Sequence, residues 1–170
     1  KLEIPVVTIP LIDNMFDEKA YETLALMGEV YGRQERAEEL TAFIKSIRDD
    51  LDKRTAGIKE EDKPSVYPAG ISFKGAHGFE GTEAGYSPLA AINADNLANK
   101  AGQEGAFNID VEQVLSWDPD IILVDFNGLE LINEDYAKNP DFYNSLTAVK
   151  EGRVYSQISF RSYAVNADLS

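Results

Sequence analysis

Apolar and polar residues follow one another along the chain in blocks that predict strands and helices. Runs rich in β-branched and apolar residues predict strands over residues 3–9 and 64–73. The segment 121–126, which begins with four consecutive apolar residues, is typical of a parallel strand that is buried on both faces. A further strand is predicted at 153–158. Three of these strands lie beyond residue 63 and supply the predicted sheet.

Other segments repeat apolar residues at helical spacing. One helix is predicted to begin at Asp17 and end at Gly32, because glycine accepts the left-handed conformation that closes a helix. A longer helix is predicted over 34–55, with an apolar stripe of Ala37, Leu40, Phe43, Ile44, Ile47 and Leu51. Shorter helices are predicted from Ser87-Pro88 to Lys100, from Asp110 to Trp117 and from Asn139-Pro140 to Val149.

The order of these elements predicts the fold class. From residue 64 onward, strands and helices alternate, which favours an α/β fold with a parallel sheet and helices on both faces, a three-layer α/β/α lobe. The 170 residues suffice for one core, or for one lobe with an attached helix, but not for two full domains. The 34–55 helix is then either a surface helix or a spacer between two lobes.

The charge of the chain excludes some partners. There are 16 Lys and Arg against 30 Asp and Glu, a net charge of −14. An acidic surface repels phosphate backbones, so nucleic acid and anionic membranes are not expected partners. No stretch has the apolar length that spans a bilayer, and no signal segment opens the chain. We expect the native start before Lys1 to have been trimmed.

The chemistry of the side chains favours a binding protein over an enzyme. There is no cysteine, and His77 is the single histidine, so thiolate sites and multi-imidazole metal sites are excluded. The glycine-rich segment that begins at Gly75 lacks the Gly-Lys-Ser/Thr ending of a phosphate-binding loop. No serine lies in a GxSxG elbow, and no nucleophile has an obvious base. No cofactor and no metal held by the protein itself are expected.

Ligand contacts are predicted at one edge of the sheet. The loops 74–86, 126–130 and 159–163 follow the carboxyl ends of three predicted parallel strands, and such ends lie together. Aromatic rings could cover apolar parts of a ligand, and the cations could bind its anionic groups. The candidates are Lys74, His77, Phe79, Tyr86, Phe126, Asn127, Arg161 and Tyr163. The alternative is that each is an ordinary surface residue, or a core contact for Phe79 or Phe126.

Three segments resemble the ABC solute-binding proteins that capture iron chelates, haem or cobalamin. IDVEQVLSWDPDIILV at 109–124 is similar to a helix "s-x-E-x-l-l" followed by "n-P-D-x-I-i-v". FYNSLTAVKEGRVYSQI at 142–158 resembles "w-x-x-l-x-A-v-k-x-G-r-V-y". GRQERAEELTAFIKSI at 32–47 is similar to the start of the family's helical spacer. The three segments occur in the family's order and together cover much of the chain.

The resemblance implies a domain organisation and a function. Family members have two Rossmann-like, chelatase-like lobes joined by a long helix, with the ligand in the cleft between them. Residues 1–31 would end the first lobe, 33–55 would be the interlobe spacer, and 64–170 would be the second lobe without its last helix. The resemblance implies an extracytoplasmic protein, periplasmic or lipid-anchored, that delivers a siderophore, haem or corrinoid to an ABC permease and its ATPase.

Glu112 has two interpretations. Within the first turn of the helix that Asp110 caps, a carboxylate is stabilised by the helix dipole by ~0.3–1 kcal/mol, which alone accounts for a glutamate. The resemblance implies more, because in similar proteins the acidic residue of this helix pairs with arginines of the permease. Asp110 stands where the family often has Ser, and Asp also caps a helix.

Two other function classes stay open from the residues alone. One is an enzyme or metallochaperone on the same α/β/α fold, since a fold does not determine function. The other is a surface interaction module without a small ligand. On the fragment interpretation, apolar surface left by the missing lobe is expected to promote association, including a dimer in crystals.

Overall fold

The computed structural model describes residues 4–10, 12 and 14–158. The chain divides into two compact units, Lys1–Gly57 and Ile58–Ser170. The first contains two helices, α1 (Glu18–Tyr31) and α2 (Gln34–Thr55).

Local signals set the ends of the helices in the first unit. The Asp17 side chain accepts a hydrogen bond from the Lys19 N–H and begins α1, while Gly32 ends it in the left-handed region at φ 63°. A methyl group added at Gly28 would lie 2.7 Å from the Ala37 Cβ, so a glycine lets α1 and α2 pack closely here. Both helices were predicted with these bounds.

The predicted apolar stripe of α2 is only partly covered. Ala37 is buried, but Phe43 is 62% exposed and Ile47 is 38% exposed. The strand predicted over 3–9 is wrong, because residues 4–9 form no regular element and are exposed. Strands require backbone hydrogen bonds with a neighbour, and no other strand among the described residues pairs with this apolar segment.

The second unit contains the sheet. Its strands are β1 (Ser65–Ala69), β2 (Gly81–Ala84), β3 (Asp95–Asn96), β4 (Gly105–Asn108), β5 (Ile121–Asp125) and β6 (Val154–Gln157). Its helices are α3 (Ser87–Ala91), α4 (Val111–Trp117), α5 (Leu129–Lys138), α6 (Pro140–Ser145) and α7 (Thr147–Lys150), with short 3₁₀ turns at Glu60–Asp62, Leu97–Ala101 and Phe126–Gly128.

Four strands form a parallel sheet in the order β3-β1-β5-β6, which confirms the predicted α/β class. Successive side chains of β1 and β5 point to opposite faces of the sheet, and both faces are covered. Tyr67 and Ile122 pack with α4, α6 and the α6–α7 junction, whereas Val66 and Ile121 pack with α3. The sheet therefore lies between helices, as the alternating pattern predicted.

Pro68 lies within β1 without breaking it. The ladder between β1 and β3 ends at Val66, two residues before Pro68. The Pro68 carbonyl accepts a hydrogen bond from the Thr82 hydroxyl at 2.7 Å. Proline lacks an N–H, so it is tolerated where no strand pairs on that side.

Other predicted elements also differ in the structure. The strand predicted over 64–73 ends at Ala69, because Gly70 adopts a left-handed φ of 73°. The helix predicted to Lys100 ends at Ala91, because Asn93 adopts a left-handed φ of 53° and a short strand follows. The Asn96 side chain then bonds the Glu83 carbonyl and the Ala98 N–H, which holds this chain reversal.

The loop predicted at 101–109 contains β4, which pairs with β2 in an antiparallel ladder. The helix predicted to Val149 is divided by an extended Leu146 (ψ 134°) into α6 and α7. The Asp118 carboxylate accepts hydrogen bonds from the Thr147 N–H and hydroxyl and begins the second of these helices.

Candidate functional site

Two loops meet at the carboxyl edge of the parallel sheet. β1 ends at Ala69 and β5 ends at Asp125, and Ala69 pairs with Val124 in the ladder between them. A methyl group added at Gly128 would lie 2.4 Å from the Gly70 Cα and 2.7 Å from the His77 carbonyl oxygen. The loop after β1 and the turn after β5 are therefore in backbone contact, which only glycine permits at this distance.

The loop after β1 holds His77 in one orientation. The imidazole stacks on the Phe73 ring with centroids 4.1 Å apart and planes 8° apart. Its Nε2 lies 2.8 Å from the Phe73 carbonyl oxygen, and its Nδ1 lies 3.8 Å from the Glu80 Oε1. The histidine and Glu80 side chains are 20% and 40% exposed, so both reach solvent from this edge.

Phe79 and Tyr86 do not present their rings at the surface. Each is only 3% exposed, so the proposed ligand contact of either ring is contradicted in this structure. Phe79 packs with Tyr67, Phe142 and Tyr143 in the core, the alternative interpretation of that residue. Tyr86 packs beside Val66 and Leu89, and the Gln157 side-chain amide donates to its hydroxyl.

Buried tyrosine hydroxyls hold the core behind this edge. The Tyr67 hydroxyl donates to the Phe79 carbonyl at 2.7 Å, and burial raises the pKa of Tyr67. The Tyr143 hydroxyl donates to the Asp135 carboxylate at 2.6 Å, and burial, aided by this carboxylate, raises the pKa of Tyr143. Both phenols therefore stay protonated donors at neutral pH and anchor the loop and α5.

The turn after β5 presents two candidates to solvent. The Asp125 carboxylate accepts a hydrogen bond from the Asn127 N–H at 2.9 Å and shapes the turn. Phe126 is 64% exposed, which excludes the core interpretation of this residue, and Asn127 is exposed beside it. Lys74 is exposed on the neighbouring loop with a left-handed φ of 51°.

A groove of about 700 Å³ opens beside this turn. Among the described residues its lining is Phe126, Asn127, Leu129, Glu130, Asn133, Glu134 and Ala137. Sequence reasoning predicted the first two and missed the others, because α5 was not predicted. The apolar residues Leu129, Ile132 and Tyr136 of α5 recur at helical spacing, and this signal could have found the helix.

The remaining candidates divide into two groups. Arg161 and Tyr163 lie outside the described residues, so their place at this edge stays a prediction. Glu112 lies on α4, exposed to solvent, with its N–H bonded to the Asp110 side chain at 3.0 Å as the capping pattern predicted.

The described residues were compared with the requirements of a metal site and of a membrane-spanning helix. They contain no group of three or more His, Asp or Glu side chains that could hold a metal ion. No helix in the described ranges is long and apolar enough to cross a membrane.

Comparison with known proteins gives one family match. The family model described as "Periplasmic binding protein" matches residues 1–157. Comparison with curated protein sequences gives no match.

Several solved structures have a similar fold. The molybdate-binding MolA of Haemophilus influenzae has a TM-score of 0.65 at 20% identity, over 82% of this chain and 41% of MolA. A possible iron-binding protein of Staphylococcus epidermidis has a TM-score of 0.65 at 19% identity, over 91% and 57%. The haem complex of S. aureus IsdE has a TM-score of 0.61 at 17% identity, over 86% and 56%. This chain thus spans about half the length of these structures.

Proposed function

This chain belongs to the periplasmic binding protein family, and on that premise we propose that it is part of the solute-binding component of an ABC importer. In this role the protein is extracytoplasmic, free in the periplasm or anchored by lipid. It captures an iron chelate, haem or corrinoid and delivers it to a permease driven by an ATPase. Four of the similar structures are described as a molybdate-bound protein, a possible iron-binding protein, part of an Fe3+-hydroxamate transport system and a haem complex, which supports a metal-containing cargo.

One observation connects the proposed function with particular residues. The carboxyl edge of the sheet brings the loop after β1 and the turn after β5 into backbone contact, through Gly70 and Gly128. Open α/β sheets bind ligands at such edges. Phe126 stands exposed there beside the groove along α5, and an exposed ring of this size is suited to cover the apolar part of a chelate.

The test is a binding panel measured by calorimetry. The product of the complete reading frame and the 170-residue chain would be titrated in parallel with a ferric trihydroxamate, haemin and cyanocobalamin. We expect one of these classes to bind, and Phe126→Ala to weaken that binding while Ile92→Ala, an exposed apolar control on the same unit, does not. If no metal chelate binds to the complete protein, the proposed cargo is wrong.

We further propose that Glu112 docks the protein on the permease. The side chain is exposed at the start of α4, where it is available to arginines of a membrane partner. A rim carboxylate of this kind affects association and its salt dependence more than folding.

The docking proposal is tested with Glu112→Ala in a reconstituted importer. We expect ligand affinity and melting temperature to change little, while permease-stimulated ATP hydrolysis falls. Gln113→Ala is the control, because this neighbour is also exposed on α4 but carries no charge. Unchanged stimulation by Glu112→Ala would leave only the helix-end role for this glutamate.

A further inference from the structure

One ring nitrogen of His77 has no hydrogen-bond donor among the residues that the structure describes. Its Nε2 lies 2.8 Å from the Phe73 carbonyl oxygen, and a carbonyl oxygen can only accept a hydrogen bond. The Nε2 atom therefore carries the proton in the neutral ring. The Nδ1 atom is then unprotonated and faces the Glu80 carboxylate, 3.8 Å away, and no described residue donates a hydrogen bond to it.

Several contacts hold this arrangement in place. The Phe73 ring covers one face of the imidazole, and a methyl group added at Gly81 would lie 2.5 Å from the His77 Cβ. The Gly78 N–H donates to the Glu80 Oε1 at 3.2 Å, and the Glu80 carbonyl accepts from the Ile109 N–H. Both donor side chains are thus oriented by the loop that carries them.

The arrangement matches the way proteins prepare a metal ligand. A metal-binding histidine usually donates its other ring N–H to a carbonyl or carboxylate, which fixes the tautomer and orients the ring. With metal–ligand bonds of about 2.0–2.2 Å, two adjacent ligands lie about 3.3–3.6 Å apart on a tetrahedral ion and about 2.8–3.1 Å apart on an octahedral ion. The observed separation of 3.8 Å exceeds both values, and a side-chain rotation within the loop removes the difference.

We propose that His77 Nδ1 and Glu80 Oε1 bind the metal of the cargo directly, at two adjacent coordination positions. The inference rests on the proposed function, since the pair lies at the sheet edge where the His77 backbone touches Gly128 beside Phe126. The described residues hold no third ligand of this type. The cargo must therefore supply the rest of the shell and must have two exchangeable positions, such as positions occupied by water. A coordinatively saturated chelate does not fit this site, and neither does haem or a corrinoid, whose open positions lie on opposite faces of the ring; the inference therefore narrows the proposed cargo to an iron chelate with two adjacent open positions.

The test uses the single histidine as its own reporter, with zinc chloride as the probe. In ¹⁵N-labelled 170-residue chain, long-range ¹H–¹⁵N spectra distinguish the two ring nitrogens of His77 without assignment ambiguity. We expect the Nε2–H tautomer before addition, and a zinc-dependent shift of the Nδ1 resonance. Glu80→Gln should weaken zinc binding about tenfold or more, by analogy with the loss of metal-site partners.

Glu104→Gln is the matched control, because it removes the same charge from an exposed site elsewhere in the unit. If zinc does not shift the Nδ1 resonance of the wild-type chain, the inference is wrong, and no variant is needed to show this. Equal zinc affinities of Glu80→Gln and Glu104→Gln overturn it as well, because zinc binding would then depend only on the net negative charge of the chain.

The chelate panel separates this inference from the proposed function. Equal binding of a saturated ferric trihydroxamate by the wild type and by Glu80→Gln would keep the proposed function and overturn direct ligation. If His77 binds zinc but the complete protein binds no chelate, the His77–Glu80 metal site is supported and the proposed cargo is wrong.

Discussion

Replacement of Gly128 by alanine tests the backbone contact on which the candidate site depends. The new methyl group would lie 2.4 Å from the Gly70 Cα, 2.6 Å from the Gly70 carbonyl oxygen and 2.7 Å from the His77 carbonyl oxygen. All three are backbone atoms, so no side chain can rotate away. The φ of Gly128 is −93°, which alanine adopts without strain, so the whole cost is steric.

The magnitude follows from two opposing terms. Overpacking of this severity costs about 3 kcal/mol, the upper end of the usual range. Alanine in place of glycine recovers about 0.4–1 kcal/mol, because it restricts the unfolded chain. The net loss is about 2 kcal/mol, or roughly 4–8 °C in melting temperature for a chain of this size.

Urea unfolding followed by Trp117 fluorescence provides the assay. The chain has one tryptophan, which packs against the core of the Ile58–Ser170 unit and therefore reports on the unit that contains Gly128. Gly57→Ala is the control, because an added methyl there meets no atom within 4 Å. A Gly128→Ala protein as stable as the wild type would refute the close approach of the two loops.

Three further changes follow from buried or bonded groups in the same unit. Thr82→Val should lower the free energy of unfolding by about 1–3 kcal/mol, because it leaves the Pro68 carbonyl without its partner, and Thr82→Ser should restore most of this in urea titrations. Leu146→Ala should cost about 2–5 kcal/mol by the same assay, since this side chain is fully buried, and a cost below 1 kcal/mol would contradict its packing. Hydrogen bonds from the Ser65 N–H and hydroxyl lower the pKa of Asp120 in the folded state, so its contribution is present above pH ~4 and lost as the pH falls below that value. The stability difference between wild type and Asp120→Asn should therefore shrink between pH 6 and pH 3, and a constant difference would show that the carboxylate charge is not involved.

Local interactions explain why several elements could be predicted from the sequence. Asp17 and Gly32 cap α1 through hydrogen bonds to residues two to four positions away in the sequence. The ends of α1 can therefore be predicted without knowledge of the elements packed against it. The four residues from Ile121 to Val124 include no polar position at which a strand could face water, and they form most of the central strand β5. The edge of the sheet at which we propose that the ligand binds follows from this parallel order.

Other features depend on contacts between distant residues. The apolar run at 3–9 has the composition of a strand, but a strand exists only when another strand supplies hydrogen bonds. β2 and β4 lie in glycine-containing segments that predict loops, and their ladder from Gly81 to Asn108 forms because the chain reversal at Asn96 brings them together.

The candidate site shows the same division. The sequence by itself determined which loops follow the strands and which of their residues are aromatic or charged, because alternation and composition are local properties. Only the tertiary structure decided that Phe79 and Tyr86 turn into the core while Phe126 faces solvent. It also decided that Glu80 lies opposite His77. These outcomes depend on which apolar surface lies within reach of each ring, and on the Gly70–Gly128 contact that sets the path of the loop. Burial of an aromatic side chain is decided by its three-dimensional neighbours, and the order of residues along a loop does not specify them.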